Sequence, residues 1–336
     1  MASEDWRQEI DNKFFASPKS LTQAECDGLA KAITGAADIR RVSLPGSFSY
    51  TVVCVKESGN EVVSFRELGN KLDEHTVSLA KDIHGGLVPT STYHGCVEGA
   101  DRPLTIYIMP YLPGVSCIEA LECEVELNAE TEAQHTCFIQ HLARYFARAW
   151  TNPQSIDPVA RKETETGIRR RLQTIKGATG LDLEEHVSCL FDEHYPAVLT
   201  HGDLSHANIL VDEDTFEITG IVDWSLASIL PFGMDFDAIY GSLGCQDLEG
   251  WHDYACRPRL LEAFWQEFWT ATKIEDDTRR TKIRGAAEGA GKIGAYLRYA
   301  FRRSEDGSMS NMMLDKVPDF LAPMFGDQGD ETKVSA

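Results

Sequence analysis

Between residues 40 and 68, short β-branched or aromatic runs alternate with turn-rich breaks, reading RVSL, PGSFS, YTVVCVKE, SGN and EVVSFREL. That pattern predicts three strands of an antiparallel meander. Upstream, LTQAECDGLAKAI sets Thr22 as an N-cap and Glu25 three residues later, ahead of Leu29, Ala30 and Ile33 at helical spacing. A capping box of this kind predicts that a helix opens the fold. Leu72 to Ile83 returns to helical spacing, and LVPTSTYHGC and LTIYIMPYL predict two more strands. The first 110 or so residues thus read as a small sheet with a helix packed on it.

At Pro110-Tyr111-Leu112-Pro113-Gly114 the chain crosses a Pro/Gly-rich segment, after which strand signals stop for a long distance. This predicts a boundary between residues 1–110 and a second lobe over 111–326. The final ten residues, 327–336, are poor in apolar side chains and are expected to form a mobile tail. From Asn128 to Trp150, Phe138, Ile139, Leu142, Phe146 and Ala149 make one apolar helical stripe. RKETETGIRRRLQTIK, LEEHVSCLFDEHY, LLEAFWQEFWTATK and RGAAEGAGKIGAYLRYAFRR also read as helices, the last with Gly and Ala that permit close helix contact. Arg161, Lys162, Arg169, Arg170 and Arg171, interleaved with Glu163 and Glu165, read as a solvated, salt-bridged face. Phe264, Trp265, Phe268 and Trp269 follow helical spacing and read as core. Strands first and helices after give an α+β class.

One strand-rich stretch interrupts the helices: LTHGDLSHANILVDEDTFEITGIVDWS, Leu199 to Ser225. Asp203 falls in a turn after Ala197-Val198-Leu199, and Asn208 begins the buried run Asn-Ile-Leu-Val. Thr215 to Val222 reads as the return strand, with Glu213-Asp214 near the turn and Asp223 at its end. A hairpin brings Asn208 and Asp223 together at one end of the strand pair. A carboxylate beside an amide oxygen suits Mg²⁺, a hard ion that keeps waters and substrate phosphates in its shell. A second carboxylate one loop away can take a proton from an attacking hydroxyl, which completes the equipment for phosphoryl transfer.

Composition narrows the partners. With 336 residues, 43% hydrophobic, the chain can bury a large core. Its net charge of −21 repels nucleic-acid phosphates and anionic membranes, so neither partner is expected; the same acidity serves solubility or attracts a cationic substrate. The N-terminus is charged where a secretory signal needs apolar residues, and no apolar run is long enough to span a bilayer, so a cytoplasmic protein is expected. The nine cysteines show neither CxxC pairs nor metal-ligand spacing with His and read as reduced and mostly structural.

HGDLSHAN followed by IVDW resembles the aminoglycoside phosphotransferase or choline kinase-like family, which shares the protein-kinase fold, and the lobe order extends the likeness over roughly residues 20–300. The resemblance implies a two-lobed fold, with a small antiparallel-sheet lobe and a larger, mainly helical one. It also implies an ATP-dependent kinase acting on a hydroxyl of a small metabolite. Asp203 would be the catalytic base, Asn208 and Asp223 the magnesium ligands and His201 a loop anchor. PFGMDFDAIYG resembles the family's G-D-P-x-x-D-L-A segment, in which Asp235, or Asp237 in its place, ties a helix start to the catalytic loop; plain helix capping is the alternative.

On the nucleotide side the resemblance points to a loop with one glycine, Gly46, and Ser47 over the phosphates. Arg66 stands in for the usual lysine, paired with Asp73 or Glu74, unless these form a solvated surface pair. Backbone groups from Met109 to Tyr111 would reach the adenine. Lys56 and His206 read as solvent-facing. By the same resemblance Glu262, Glu267, Asp276 or Asp277 would meet a cationic amine in a pocket of C-terminal helices. PGSFSYTV, VVSFRE and LDEHTVSLA are similar to fungal members, which implies a eukaryotic metabolic or natural-product role rather than antibiotic resistance. Elements of a regulated protein kinase are missing: the loop lacks the Arg before Asp203, and no APE-like segment follows. The single-glycine loop motivates the opposing reading, a nucleotide-binding or scaffold protein without transfer activity.

Overall fold

Two helices precede the sheet, α1 (Asp5–Phe14) and α2 (Gln23–Thr34). In α2 the Thr22 hydroxyl accepts from Glu25 N–H at 3.3 Å while the Glu25 carboxylate accepts from Thr22 N–H at 2.7 Å, the reciprocal cap its sequence calls for. α1 departs from the expectation that this helix opens the fold. Most of its residues are polar, so its apolar periodicity is faint; Phe14 and the following Phe15 anchor it on Tyr50, and Asp11 pairs with Arg41. The computed structural model describes residues 5–16, 21–46, 48–97, 103–121, 124–247, 249–303, 309–311, 314 and 317–326. The expectations for Ser47 and for a mobile tail over 327–336 therefore fall outside the described residues.

Strands β1 (Asp38–Arg41), β2 (Ser49–Val55) and β3 (Glu61–Glu67), helix α3 (Glu74–His84), and strands β4 (Thr92–Val97) and β5 (Leu104–Pro110) follow the predicted order. They form one antiparallel sheet ordered β1-β2-β3-β5-β4. Strand alternation gives this sheet two chemically distinct faces. Tyr50, Val52, Cys54, Val63 and Phe65 pack with Cys26 and Ala30 of α2. Their neighbours Ser49, Thr51, Val53, Val62, Ser64 and Arg66 face a cavity on the other side.

Past Pro110, β6 (Val115–Ser116) pairs with the first strand of the hairpin anticipated above. The chain continues through α4 (Cys117–Ala120), α5 (Ala129–Thr151), α6 (Pro158–Thr179) and α7 (Glu184–Leu190). Four strands follow, β7 (Ala197–Thr200), β8 (Ile209–Val211), β9 (Ile218–Ile221) and β10 (Ser228–Pro231). After α8 (Asp237–Tyr240) come β11 (Gly244–Gln246), β12 (Trp251–Asp253), α9 (Arg257–Thr272), α10 (Asp277–Ala300), β13 (Phe301–Arg303), β14 (Met309–Asn311) and α11 (Val317–Met324). The return strand β9 is shorter than expected. Phe216 adopts a left-handed φ of 57°, and Asp212 accepts the backbone N–H groups of Asp214 and Thr215, so residues 212–217 form the turn instead.

The predicted α5 stripe is buried against Phe264, Trp265 and Phe268 of α9, with Phe146 edge-on to Phe264 at 6.1 Å. Each such side chain contributes about 1.5–3 kcal/mol on burial, which accounts for this aromatic set as core. On α6, Glu165 pairs with both Lys162 and Arg169 at 2.9 Å, the salt-bridged face anticipated there. No described helix is long and apolar enough to cross a membrane. Cys26, Cys54, Cys96, Cys117, Cys137, Cys189 and Cys256 are free thiols, as expected. Cys245 corrects that reading because it is disulfide-bonded; linear spacing carries no information on which cysteines meet in space.

Close approach governs α10. A Cβ at Gly289 would lie 2.8 Å from the His186 ring of α7, one at Gly291 2.7 Å from Phe236 Cβ, and one at Gly294 would overlap the Met234 carbonyl. The glycines thus admit both a helix and the 233–236 turn. Gly294→Ala is expected to lower the stability measured by urea unfolding by about 1–3 kcal/mol. Gly285→Ala, where a Cβ meets open space, should be neutral or stabilising by up to about 1 kcal/mol; equal effects at both sites would refute the packing argument.

Candidate active site

β7 and β10 pair antiparallel, and β7 delivers the chain into the turn His201-Gly202-Asp203. Gly202 has φ 78°, and a Cβ there would collide with the Leu226 carbonyl, so both the backbone conformation and the space require glycine. His201 is fully buried, and burial pushes its imidazole below the ordinary value. The neutral ring then has a defined tautomer: Nε2–H donates to Val222 O at 2.9 Å, and Nδ1 accepts from Asp203 N–H at 3.3 Å. Asp235 accepts from His201 N–H at 2.6 Å and from Gly202 N–H at 3.3 Å. Of the two aspartates open from the sequence, Asp235 therefore touches this turn, whereas Asp237 Oδ2 takes Arg298 Nη1 at 2.8 Å.

The hairpin brings the three expected polar residues together. Asn208 Nδ2 donates to Asp203 O at 2.8 Å and to its Oδ2 at 3.1 Å, and Val222 N–H donates to Asn208 O at 2.9 Å. Asp223 follows at the end of β9 in a left-handed conformation, φ 61° and ψ 62°. For a non-glycine residue this is sparsely populated backbone that the surrounding structure must hold in place. Asp223 Oδ1 accepts from Arg66 Nη2 at 2.9 Å, and Arg66 Nε donates to Asn70 O at 3.0 Å. Desolvation opposes ionisation of Asp223, yet the Arg66 charge and hydrogen bonds from Ser225 and Arg66 hold its carboxyl below the usual range.

The partner of Arg66 thus differs from expectation. No ion pair joins it to Asp73 or Glu74 among the described residues. Asp73 caps α3 instead, accepting from His75 N–H at 3.0 Å and Thr76 Oγ1 at 2.7 Å. Lys56 is another correction: its Nζ pairs with Glu61 at 2.7 Å and it is largely buried. His206 is a third. Its Nε2 bonds Ser242 Oγ at 2.7 Å, its ring lies 6.0 Å from Phe138, and burial pushes its pKa down to about 4. Glu267 pairs with Arg144, Asp276 caps α10, Asp277 pairs with Arg280 and Glu262 accepts from Gln266, so all four expected amine contacts are engaged locally.

A cavity of about 740 Å³ lies between the sheet and the β6-β8-β9 hairpin layer. Gly46, Ser49, Arg66, Met109, Tyr111, Leu112, Asn208, Leu210 and Asp223 line it; neither Asp203, which is hydrogen-bonded to Asn208, nor Glu74 is in the wall. A separate trio, Cys137, His141 and Glu217, offers one ligand atom each within 4.8 Å. Ile218 N–H donates to His141 Nδ1 at 3.2 Å, so the neutral ring keeps its proton on Nε2 and presents no lone pair to a cation. The trio joins α5 to the hairpin. Sequence reasoning did not reach Arg298, whose only signal is a basic residue in the last turn of α10.

A pH dependence follows from His206. Between about pH 6.5 and 4 the unfolded chain binds a proton that the folded imidazole refuses, so this contribution to stability is lost on acidification. His84 and His135, held down by burial to about 3 and about 4, act in the same direction, so His206→Asn should reduce but not abolish the slope of urea midpoint against pH in this range, and an unchanged slope would show that His206 does not contribute.

The phosphotransferase enzyme family matches residues 46–273, more than half of the chain. Among solved structures, a putative aminoglycoside phosphotransferase from Ralstonia eutropha is 14% identical, covering 89% of this chain and 95% of that one with a TM-score of 0.53. The Plasmodium vivax ethanolamine kinase is 11% identical, covering 98% and 92% with a TM-score of 0.52. A mutant aminoglycoside 2'-phosphotransferase-IIIa in its GDP complex is 13% identical, covering 91% and 94% with a TM-score of 0.50. No curated protein matches by sequence. At these identities the structural likeness bears on the fold, which is the two-lobed protein-kinase-like one, and the family match carries the assignment: the chain belongs to the phosphotransferase enzyme family.

Proposed function

We propose that the protein is an ATP-dependent O-phosphotransferase acting on a hydroxyl of a small metabolite. The observation that carries this reading is the linkage of Asp203, Asn208, Asp223 and Arg66 by direct hydrogen bonds and one backbone pairing beside the cavity. In the proposed reaction the acceptor oxygen bonds to the terminal phosphorus, the bond to the departing diphosphate breaks, and Asp203 takes the hydroxyl proton. Asn208, by donating to Asp203 Oδ2, aims that carboxylate, and the buried His201 fixes its backbone.

The donor set suits magnesium. Because Asn208 spends its amide N–H on Asp203, its Oδ1 is left to bind, and Asp223 keeps 37% of its side chain exposed beside the Arg66 pair. Asn208 and Asp223 would hold the ion, which when bound neutralises phosphate charge. Arg66 orients the phosphates under the loop containing Gly46, while backbone groups from Met109 to Tyr111 and the apolar walls at Val53, Val62 and Leu210 receive the base. The lobe up to residue 110 then serves the nucleotide, and the lobe from 111 carries the catalytic groups and receives the acceptor, closing the nucleotide cavity from its side with Asn208, Leu210 and Asp223. A net charge of −21 favours a cationic acceptor, in keeping with relatives named for ethanolamine and aminoglycosides.

Thermal unfolding with millimolar Mg²⁺ and ATP tests the reading. A ligand at about 100 times its dissociation constant stabilises the fold by roughly 2.7 kcal/mol, a shift of several degrees. Wild type should shift only with both present, and Asp223→Asn should lose the shift. Asp203→Asn should keep it while turnover falls by at least about 100-fold. Turnover unaffected by Asp203→Asn would remove that residue from the chemistry.

A further inference from the structure

We propose that Arg298 is a positioning residue for phosphoryl transfer: it bridges Asp235 and Asp237 beneath the His201-Gly202-Asp203 turn and so holds Asp203 in place. This rests on the reading of Asp203 as the group that takes the acceptor proton. Arg298 lies beyond residues 46–273, the span that matches the family.

The bridge is a buried one. Arg298 Nη2 is 3.2 Å from Asp235 Oδ1 and Nη1 is 2.8 Å from Asp237 Oδ2, with the two carboxylates 5% and 3% exposed. Asp235 uses its oxygens on the turn as well, taking His201 N–H on Oδ2 and Gly202 N–H on Oδ1. Two carboxylates held this close in a dry interior repel each other unless a cation lies between them. A planar guanidinium can serve both at once through separate nitrogens, which a lysine ammonium on a flexible stem does less well.

Helix geometry delivers the charge. Gly291, Gly294 and Arg298 fall at spacings of three and four, so they share one face of α10. The two glycines let that face touch Phe236 and the Met234 carbonyl, and Arg298 one turn later meets Asp235 and Asp237. The groups acting on Asp237 are Arg298, Asp235, Asp203 and the neighbouring Tyr299. Burial raises the Asp237 carboxyl to about 6, with Arg298 opposing and the charges of Asp235 and Asp203 adding to the rise.

Without Arg298 the Asp237 carboxyl must titrate higher still. A carboxyl whose folded value is raised loses stability as pH climbs from its unfolded value, about 4, to its folded one. In wild type that loss is complete near pH 6, whereas in Arg298→Met it extends above. The melting temperature of Arg298→Met relative to wild type should therefore fall further between roughly pH 6 and 8, and adding Asp237→Asn should cancel this extra fall.

The kinetic arm uses Mg·ATP with water as the acceptor, following ADP release at pH 7.5. Arg298→Met should lower kcat by about 100-fold with KM for ATP within about twofold, since a displaced turn misaligns the reacting groups without touching the nucleotide wall. Arg298→Lys should stay within about tenfold of wild type, and the double variant Arg298→Met with Asp237→Asn should regain at least about tenfold over Arg298→Met. Wild-type kcat in Arg298→Met, or a melting difference that does not change with pH, overturns the proposal. If Arg298→Met does not fold, Arg298→Lys with and without Asp237→Asn decides, and no gain from removing the second carboxylate overturns it. A wild type that neither releases ADP nor shifts with Mg·ATP refutes the kinase reading and the catalytic role with it, while a pH-dependent melting difference would still establish the bridge.

Discussion

The Asp235 carboxylate is the joint on which the site depends. It accepts from the backbone of His201 and Gly202, and those two bonds set the turn that presents Asp203. From there the order propagates through named atoms: His201 to Val222 and Asp203, and Asn208 to Asp203 and back to Val222. A buried carboxylate can do this because backbone N–H groups and a guanidinium satisfy its oxygens; unpaired, it would cost several kcal/mol. The glycine face of α10 brings the 233–236 segment close enough for that arrangement to exist.

Arg66 plays the complementary part across the lobes. It sits on the cavity face of β3, bonds Asn70 O on its own side and Asp223 on the other, and so ties the sheet to the end of the hairpin. The same alternation that sends Val63 and Phe65 into the α2 core sends Val62, Ser64 and Arg66 into the cleft. One strand therefore supplies both a hydrophobic anchor and the charge that faces Asp223, and a register slip of one residue would exchange them.

The sheet, the α5 and α9 helices and the hairpin were legible in the chain because each rests on local rules: period 2 or 3.6, a capping box, turn residues between short runs. The convergence of Asn208 and Asp223 was legible too, since antiparallel pairing brings together the residues at the open end of a hairpin. α1 escaped because its apolar side is carried mainly by Phe14, and the turn at 212–217 because its side-chain caps compete with the strand.

What the sequence by itself determined was the type and order of elements and the chemistry gathered near residues 201–223, because those depend on contacts between near neighbours in the chain. The partner of Arg66, the hydrogen bond between His206 and Ser242, the pairing of Cys245 and the bridge from Arg298 to Asp235 and Asp237 were decided only by the tertiary structure. Each depends on how elements far apart in sequence come to lie together, and a charge or hydrogen-bond donor carries no mark in the chain of the distant group that will satisfy it.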